Sequence, residues 1–132
     1  MKQIQKPILG YHLLMDLHSE DWDSLSSMQR VKDFIEMLPG AIGMRPLGLP
    51  TIEQWLWPPD PAWGISAVQM ISESHLSIHT FPDKIINGFK GFIHADVFSC
   101  KEFSQKKVIE LFRGWFNVRL IGEIGQIQWI IR

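Results

Sequence analysis

The chain has 132 residues with 13 basic and 14 acidic side chains, a formal net charge of −1, and one cysteine, so it offers no basic stripe for nucleic acid and no intramolecular disulfide. At roughly 100–150 residues per domain it holds one core and leaves no room for a cofactor domain beside a substrate domain. No apolar run approaches the roughly 18–20 residues of a membrane span, and Tyr11, His12 and Asp16 interrupt the stretch that a signal peptide would keep apolar. The expectation is a single cytoplasmic domain over 1–132, with neither nucleic acid nor a membrane as partner.

In chain order, Ile8 to Leu17 reads as a strand after Pro7. Leu25, Met28, Val31, Phe34, Ile35 and Leu38 recur at helical spacing after a cap at Asp23 or Ser24, and Pro39-Gly40 ends that helix. From Met44 to Trp63, Pro46, Pro50, Pro58, Pro59 and Pro61 predict a loop with no long hydrogen-bonded element. Its Trp55, Trp57 and Trp63 either pin it to the body or line a pocket. Strands follow over Ile65 to Ile71, Ser74 to Phe81 and Phe89 to Ser99, the last after an Asn87-Gly88 hairpin turn. A second helix spans Glu102 to Phe116, and two short strands, Val118 to Ile121 and Gln126 to Ile131, flank a turn from Gly122 to Gly125. The order predicts an α+β fold, a two-layer sandwich of an antiparallel sheet with two helices packed on one face.

Functional side chains are densest between Ser72 and His79, which hold three serines, two histidines and a glutamate. On a regular strand Glu73, His75, Ser77 and His79 share one face, and Ser72, Ser74, Leu76 and Ile78 the other. Spacing alone therefore fits a half-buried strand with a polar outer face. The i, i+4 pair His75 and His79 converges on a metal only on a helix, so no metal is expected. A Ser/His/Asp hydrolase lacks the G-x-S-x-G elbow, and Ser74 lies on a strand pattern.

Gly10-Tyr11-His12-Leu13-Leu14, Gly64-Ile65-Ser66, the unbroken run from Ile71 to Thr80 and Asp96-Val97-Phe98-Ser99-Cys100 stand in one order along the chain. In these blocks the sequence resembles the short prokaryotic class of the S-adenosylmethionine decarboxylase family. The resemblance implies a proenzyme that cuts itself between Glu73 and Ser74 into a beta chain, 1–73, and an alpha chain, 74–132. The Ser74 hydroxyl would attack the Glu73 carbonyl, and elimination with loss of ammonia would leave a covalent pyruvoyl group from Ser74. Ser66 matches the serine that assists processing, and His79 the processing proton acceptor. In the mature enzyme the ketone would form a Schiff base with S-adenosylmethionine and take up the electron pair released with carbon dioxide. Cys100 matches the proton donor, although an isolated cysteine reads as a small buried hydrophobe. Ser74 and His79 have opposite parity on a regular strand, so they meet only if the chain is irregular around Glu73-Ser74.

The chain departs from the family pattern near the substrate. The usual Thr-Trp-Pro-Glu is Thr80-Phe81-Pro82-Asp83, extra residues lengthen the hairpin over 83–95, and Lys101 replaces a glycine. Asp83 would meet ribose hydroxyls, Phe81 is a further substrate-binding position, and Trp57 or Trp63 would supply the stacking face for adenine or a sulfonium. The resemblance thus implies S-adenosylmethionine decarboxylation for spermidine synthesis by a homodimer of processed protomers. The same pyruvoyl chemistry on ornithine or arginine, and a catalytically silent regulatory homologue, are the alternatives.

Overall fold

The computed structural model describes residues 7–57, 62–119 and 126–132. Along the chain run β1 (Tyr11–His18), α1 (Trp22–Leu25), α2 (Met28–Ala41), β2 (Thr51–Trp57), β3 (Ala62–Ile71), β4 (Ser74–Ile86), β5 (Phe89–Ser99), α3 (Gln105–Phe116) and β6 (Gln126–Ile131). The strands form one six-stranded sheet in the order β2-β3-β4-β5-β1-β6, with every neighbouring pair antiparallel. An α+β fold with an antiparallel sheet is therefore observed. No helix among the described residues is long and apolar enough to cross a membrane.

Period-two burial divides the sheet. Leu13, Met15 and Leu17 of β1, Ile65 and Ala67 of β3, Leu76 and Ile78 of β4, and Ile93, Ala95 and Val97 of β5 join one buried cluster. The same cluster takes Val31, Phe34, Ile35 and Leu38 from α2 and Val108, Phe112 and Phe116 from α3. Phe34 is its aromatic centre, with ring centroids 4.7 Å from Phe112 and 5.0 Å from Phe116. The alternate residues, His12, Ser66, His75, Ser77, His79, His94 and Asp96, are only partly buried on the other face.

Among the described residues three helices stand where two are expected. Asp21 caps α1 by accepting from the Ser24 amide, and Ser27 starts a separate α2 by accepting from the Arg30 amide. The cap expected at Asp23 or Ser24 is displaced because the two flanking side chains satisfy helix-end donors better. α2 also continues through Pro39 to Ala41, since a proline in the last turn removes only one bond there, and the chain turns away at Gly43, φ +77°.

The proline-rich loop expected from Met44 to Trp63 contains a strand. Its prolines flank the interval Thr51–Trp57 without entering it, and that β-branched and aromatic run pairs along β3 as the sheet edge. Asn87 and Gly88, φ +51° and +82°, make the expected turn of the β4–β5 hairpin. Of the last two strands, β6 is present and Arg119 makes a single bridge to His18. The Gly122–Gly125 turn and the end of the strand expected at 118–121 lie outside the described residues.

Candidate active site

Ser74 opens β4 opposite Ile71 of β3 and Ser99 of β5, with φ at +153°, a region strained for any residue with a side chain. The chain is thus irregular at the place the parity argument requires. Just upstream the backbone is pinned. The Ser72 amide donates to the Arg45 carbonyl at 3.0 Å, and the Cys100 amide donates to the Glu73 carbonyl at 3.0 Å. The Ser72 hydroxyl holds the Glu73 carboxylate at 2.5 Å. A nucleophile adding to the Glu73 carbonyl would push negative charge onto an oxygen that already faces an N–H donor, which is the electrostatic requirement of acyl transfer. Cys100 is exposed in the bend after β5, next to the Glu73–Ser74 peptide rather than at a helix start, because α3 begins only after its cap, Ser104.

Ser66 and His79 form a second group. They are direct partners across β3 and β4, and His79 Nδ1 lies 2.8 Å from Ser66 Oγ. Burial pushes the His79 imidazole below its ordinary pKa, Asp96 pulls it back up and His94 adds to the depression. The neutral ring this favours is the form that can accept a proton.

The strand between the two groups is regular, with unbroken pairing from Ser74 to Phe81. At about 3.3 Å per residue, five residues place Ser74 and His79 about 16 Å apart along β4. The structure therefore brings Ser74, Glu73 and Cys100 together, and Ser66 and His79 together, without joining the two groups within the chain.

Phe81, Trp63 and Asp83 share an aromatic wall. A cavity of about 520 Å³ is lined by Trp55, Trp63, Phe81, Asp83, Lys84 and Lys90, among others, a volume within the range of small-molecule sites. Asp83 accepts from Trp63 Nε1 at 2.5 Å and Trp22 Nε1 at 3.0 Å, and pairs with Lys90 at 3.2 Å. The Trp63 bond, chiefly, holds its carboxyl below the usual range. Asp83 is thus already engaged in tying the wall together. Phe81 packs against Trp55 and His94, with Lys84 Nζ 4.9 Å above its ring. Trp57 ends β2, and its side chain lies outside the described part of the molecule. Trp55 lines this pocket, one of the two roles its sequence allowed, whereas Trp22 escapes sequence reasoning because it sits in a short helix that only the fold brings beside Asp83. His12 and Asp96 were legible only as motif letters, although their strand parity placed them on the polar face.

Comparison with known proteins gives these groups a context. The family model described as S-adenosylmethionine decarboxylase matches residues 11–121. The chain belongs to the S-adenosylmethionine decarboxylase family. It is similar to the S-adenosylmethionine decarboxylase proenzyme of Aquifex aeolicus, 34% identical over 97 residues that cover 74% of this chain and 63% of that protein. The proenzyme of Clostridium botulinum strain Loch Maree is 27% identical over 124 residues, 93% of either chain. That of Oceanobacillus iheyensis is 31% identical over 96 residues, 70% of this chain and 64% of the other. Decarboxylases of this family make a pyruvoyl group from an internal serine. A strained serine preceded by a carbonyl already hydrogen-bonded to an amide is a site at which such a group fits.

Proposed function

We propose that the chain is a pyruvoyl-dependent S-adenosylmethionine decarboxylase proenzyme, a single domain over 1–132 that cleaves itself between Glu73 and Ser74 and supplies the aminopropyl donor for spermidine synthesis. The observation that carries the reading is the Glu73–Ser74 peptide, with Ser74 at φ +153° and the Glu73 carbonyl held by the Cys100 amide. In processing, Ser74 Oγ attacks the Glu73 carbonyl carbon, the oxyanion is met by the Cys100 amide, and the C–N bond breaks to leave an ester. Removal of the Ser74 α-proton by His79 then expels the Glu73 carboxylate, and hydrolysis of the resulting enamine releases ammonia. Ser66, bonded to His79, orients the ring and stabilises the addition step. The pyruvoyl ketone supplies an electrophile for the substrate amine and a sink for the electron pair left by carbon dioxide. The exposed thiol of Cys100 returns a proton to the substrate's α-carbon. Trp57 or Trp63 stacks on the adenosyl part with Phe81 beside it in the substrate site, and Asp83 holds the wall and shares its carboxylate with the ribose.

The chain works as a homodimer, with the partner's His79 and the partner's Ser66 serving Ser74, because the separation along β4 keeps them from meeting in one protomer. The half-exposed Val68 and exposed Met70 on the sheet face opposite the core favour that face as the contact. The two-layer arrangement, with the long helices on one face of the sheet, is supported by the single core cluster they share with it.

Intact-mass measurement tests the function: the chain should divide into 1–73 and 74–132, the latter with a reactive N-terminal carbonyl, and Ser74→Ala should stay whole. A parent chain of one uncleaved mass refutes it. Carbon dioxide release from S-adenosylmethionine, ornithine and arginine in parallel assigns the substrate, and processing without turnover on any of them indicates a silent regulatory homologue. Co-expressing Ser74→Ala with His79→Ala tests the shared site: the His79→Ala chain should be cleaved only in mixed dimers, and no cleavage there refutes it.

A further inference from the structure

One residue past the Glu73–Ser74 bond, a polar cluster on the sheet face opposite the core supplies none of the reacting groups above. Asp96 of β5 lies opposite Ser77 of β4 and Leu14 of β1. Its Oδ2 accepts from His12 Nε2 at 2.8 Å and from His75 Nε2 at 3.1 Å, and its Oδ1 accepts from the Ser77 hydroxyl. One carboxylate thus joins three strands through side chains. Burial works to raise its pKa, but the bonds from Ser77, His12 and His75 outweigh that and keep it ionised.

We infer that Asp96 is a positioning residue for the chemistry at Ser74, acting through His75 to hold the downstream side of the Glu73–Ser74 bond. The inference rests on the proenzyme reading. A strained backbone persists only where its surroundings over-determine it. Upstream, the amide bonds at Ser72 and Glu73 provide that restraint, and downstream the first side-chain anchor is His75 on Asp96. After cleavage residue 74 becomes the free end of a strand, where fraying concentrates. The same clamp then keeps the new terminus seated between β3 and β5. Asp96 has a separable second effect, since its charge acts on His79, which also faces Ser66 of β3 and His94 of β5, itself bonded to Asp16 of β1.

Asp96→Asn keeps the shape but removes the charge and an acceptor. Followed by intact mass, its self-cleavage should slow about tenfold or more, the scale of a lost hydrogen bond to a charged group. The acid limb of the cleavage-rate profile should move to lower pH as His79 loses a stabilising anion, a shift that a merely structural role would not produce. In the processed fraction kcat should fall with KM unchanged. Cleavage and turnover at the parent's rates with an unshifted limb overturn the inference while leaving the proenzyme reading intact, whereas a parent chain that never cleaves removes both. If Asp96→Asn does not fold, His75→Gln, which retains a donor for the carboxylate, should cleave faster than His75→Ala. Equal, parental rates for the two overturn the clamp.

Discussion

Replacing Ser74 by glycine and, separately, by alanine isolates the backbone strain at the proposed cleavage position, because neither variant has a hydroxyl and both should remain uncleaved. Alanine inherits φ +153° with its Cβ in place, and glycine adopts the same angle without steric cost. Strain of this kind is worth about 1–3 kcal/mol, against which glycine's greater freedom in the unfolded chain costs about 0.5–1 kcal/mol. The difference leaves Ser74→Gly more stable than Ser74→Ala by about 1 kcal/mol. For a chain of this length that corresponds to a melting temperature about 3–4 °C higher. Scanning calorimetry or a thermal melt followed by circular dichroism, on variants confirmed whole by mass, reads the difference directly. A glycine variant that melts at or below the alanine variant refutes the claim that the Glu73–Ser74 junction stores strain.

Gly64 is required by close approach: a Cβ there would lie 2.0 Å from the Thr80 carbonyl oxygen and 2.9 Å from the Trp55 ring. Gly64→Ala should therefore part β3 from β4 and lower stability by about 2 kcal/mol or more, seen as a lower urea midpoint. His79 must be neutral to take a proton, and burial depresses its pKa, so the acid limb of self-cleavage should fall below the ordinary histidine value; a limb at or above it contradicts the assignment. Asp83→Ala should release Trp22 and Trp63 and raise KM for S-adenosylmethionine while cleavage proceeds at the parent's rate, since Asp83 touches neither half of the processing site.

Strand and helix identities were readable wherever periodicity is carried by the element itself. Leu76 and Ile78 alternate with His75, Ser77 and His79, and the observed burial follows that alternation. Asn87-Gly88 likewise fixed its turn through local chemistry, as both residues must take positive φ. The errors lie where a local signal competes with tertiary pairing. Five prolines argued against structure between Met44 and Trp63, but β2 lies between them and is stabilised by its ladder to β3, a partner that local propensity does not see. The single helix expected from Leu25 became two because either of several serines and aspartates could cap it, and packing selected Asp21 and Ser27.

The residues proposed for processing were nominated by the family resemblance, because the run from Ile71 to Thr80 and the Asp96-to-Cys100 block are unusual as words, whatever shape they take. Sequence by itself also pointed to one core without a separate cofactor domain in its 132 residues, and the pyruvoyl chemistry followed from the family resemblance rather than from that length. What only the tertiary structure decided is which of these residues meet. Register across β3, β4, β5 and β1 set His79 on Ser66, the Cys100 amide on the Glu73 carbonyl, and Asp96 between His12 and His75. It also separated Ser74 from His79, because extended chain advances about 3.3 Å with every residue and cannot fold back on itself within five. Neighbours in sequence on a strand are distant in space, and the contacts that make a site come from the strands alongside.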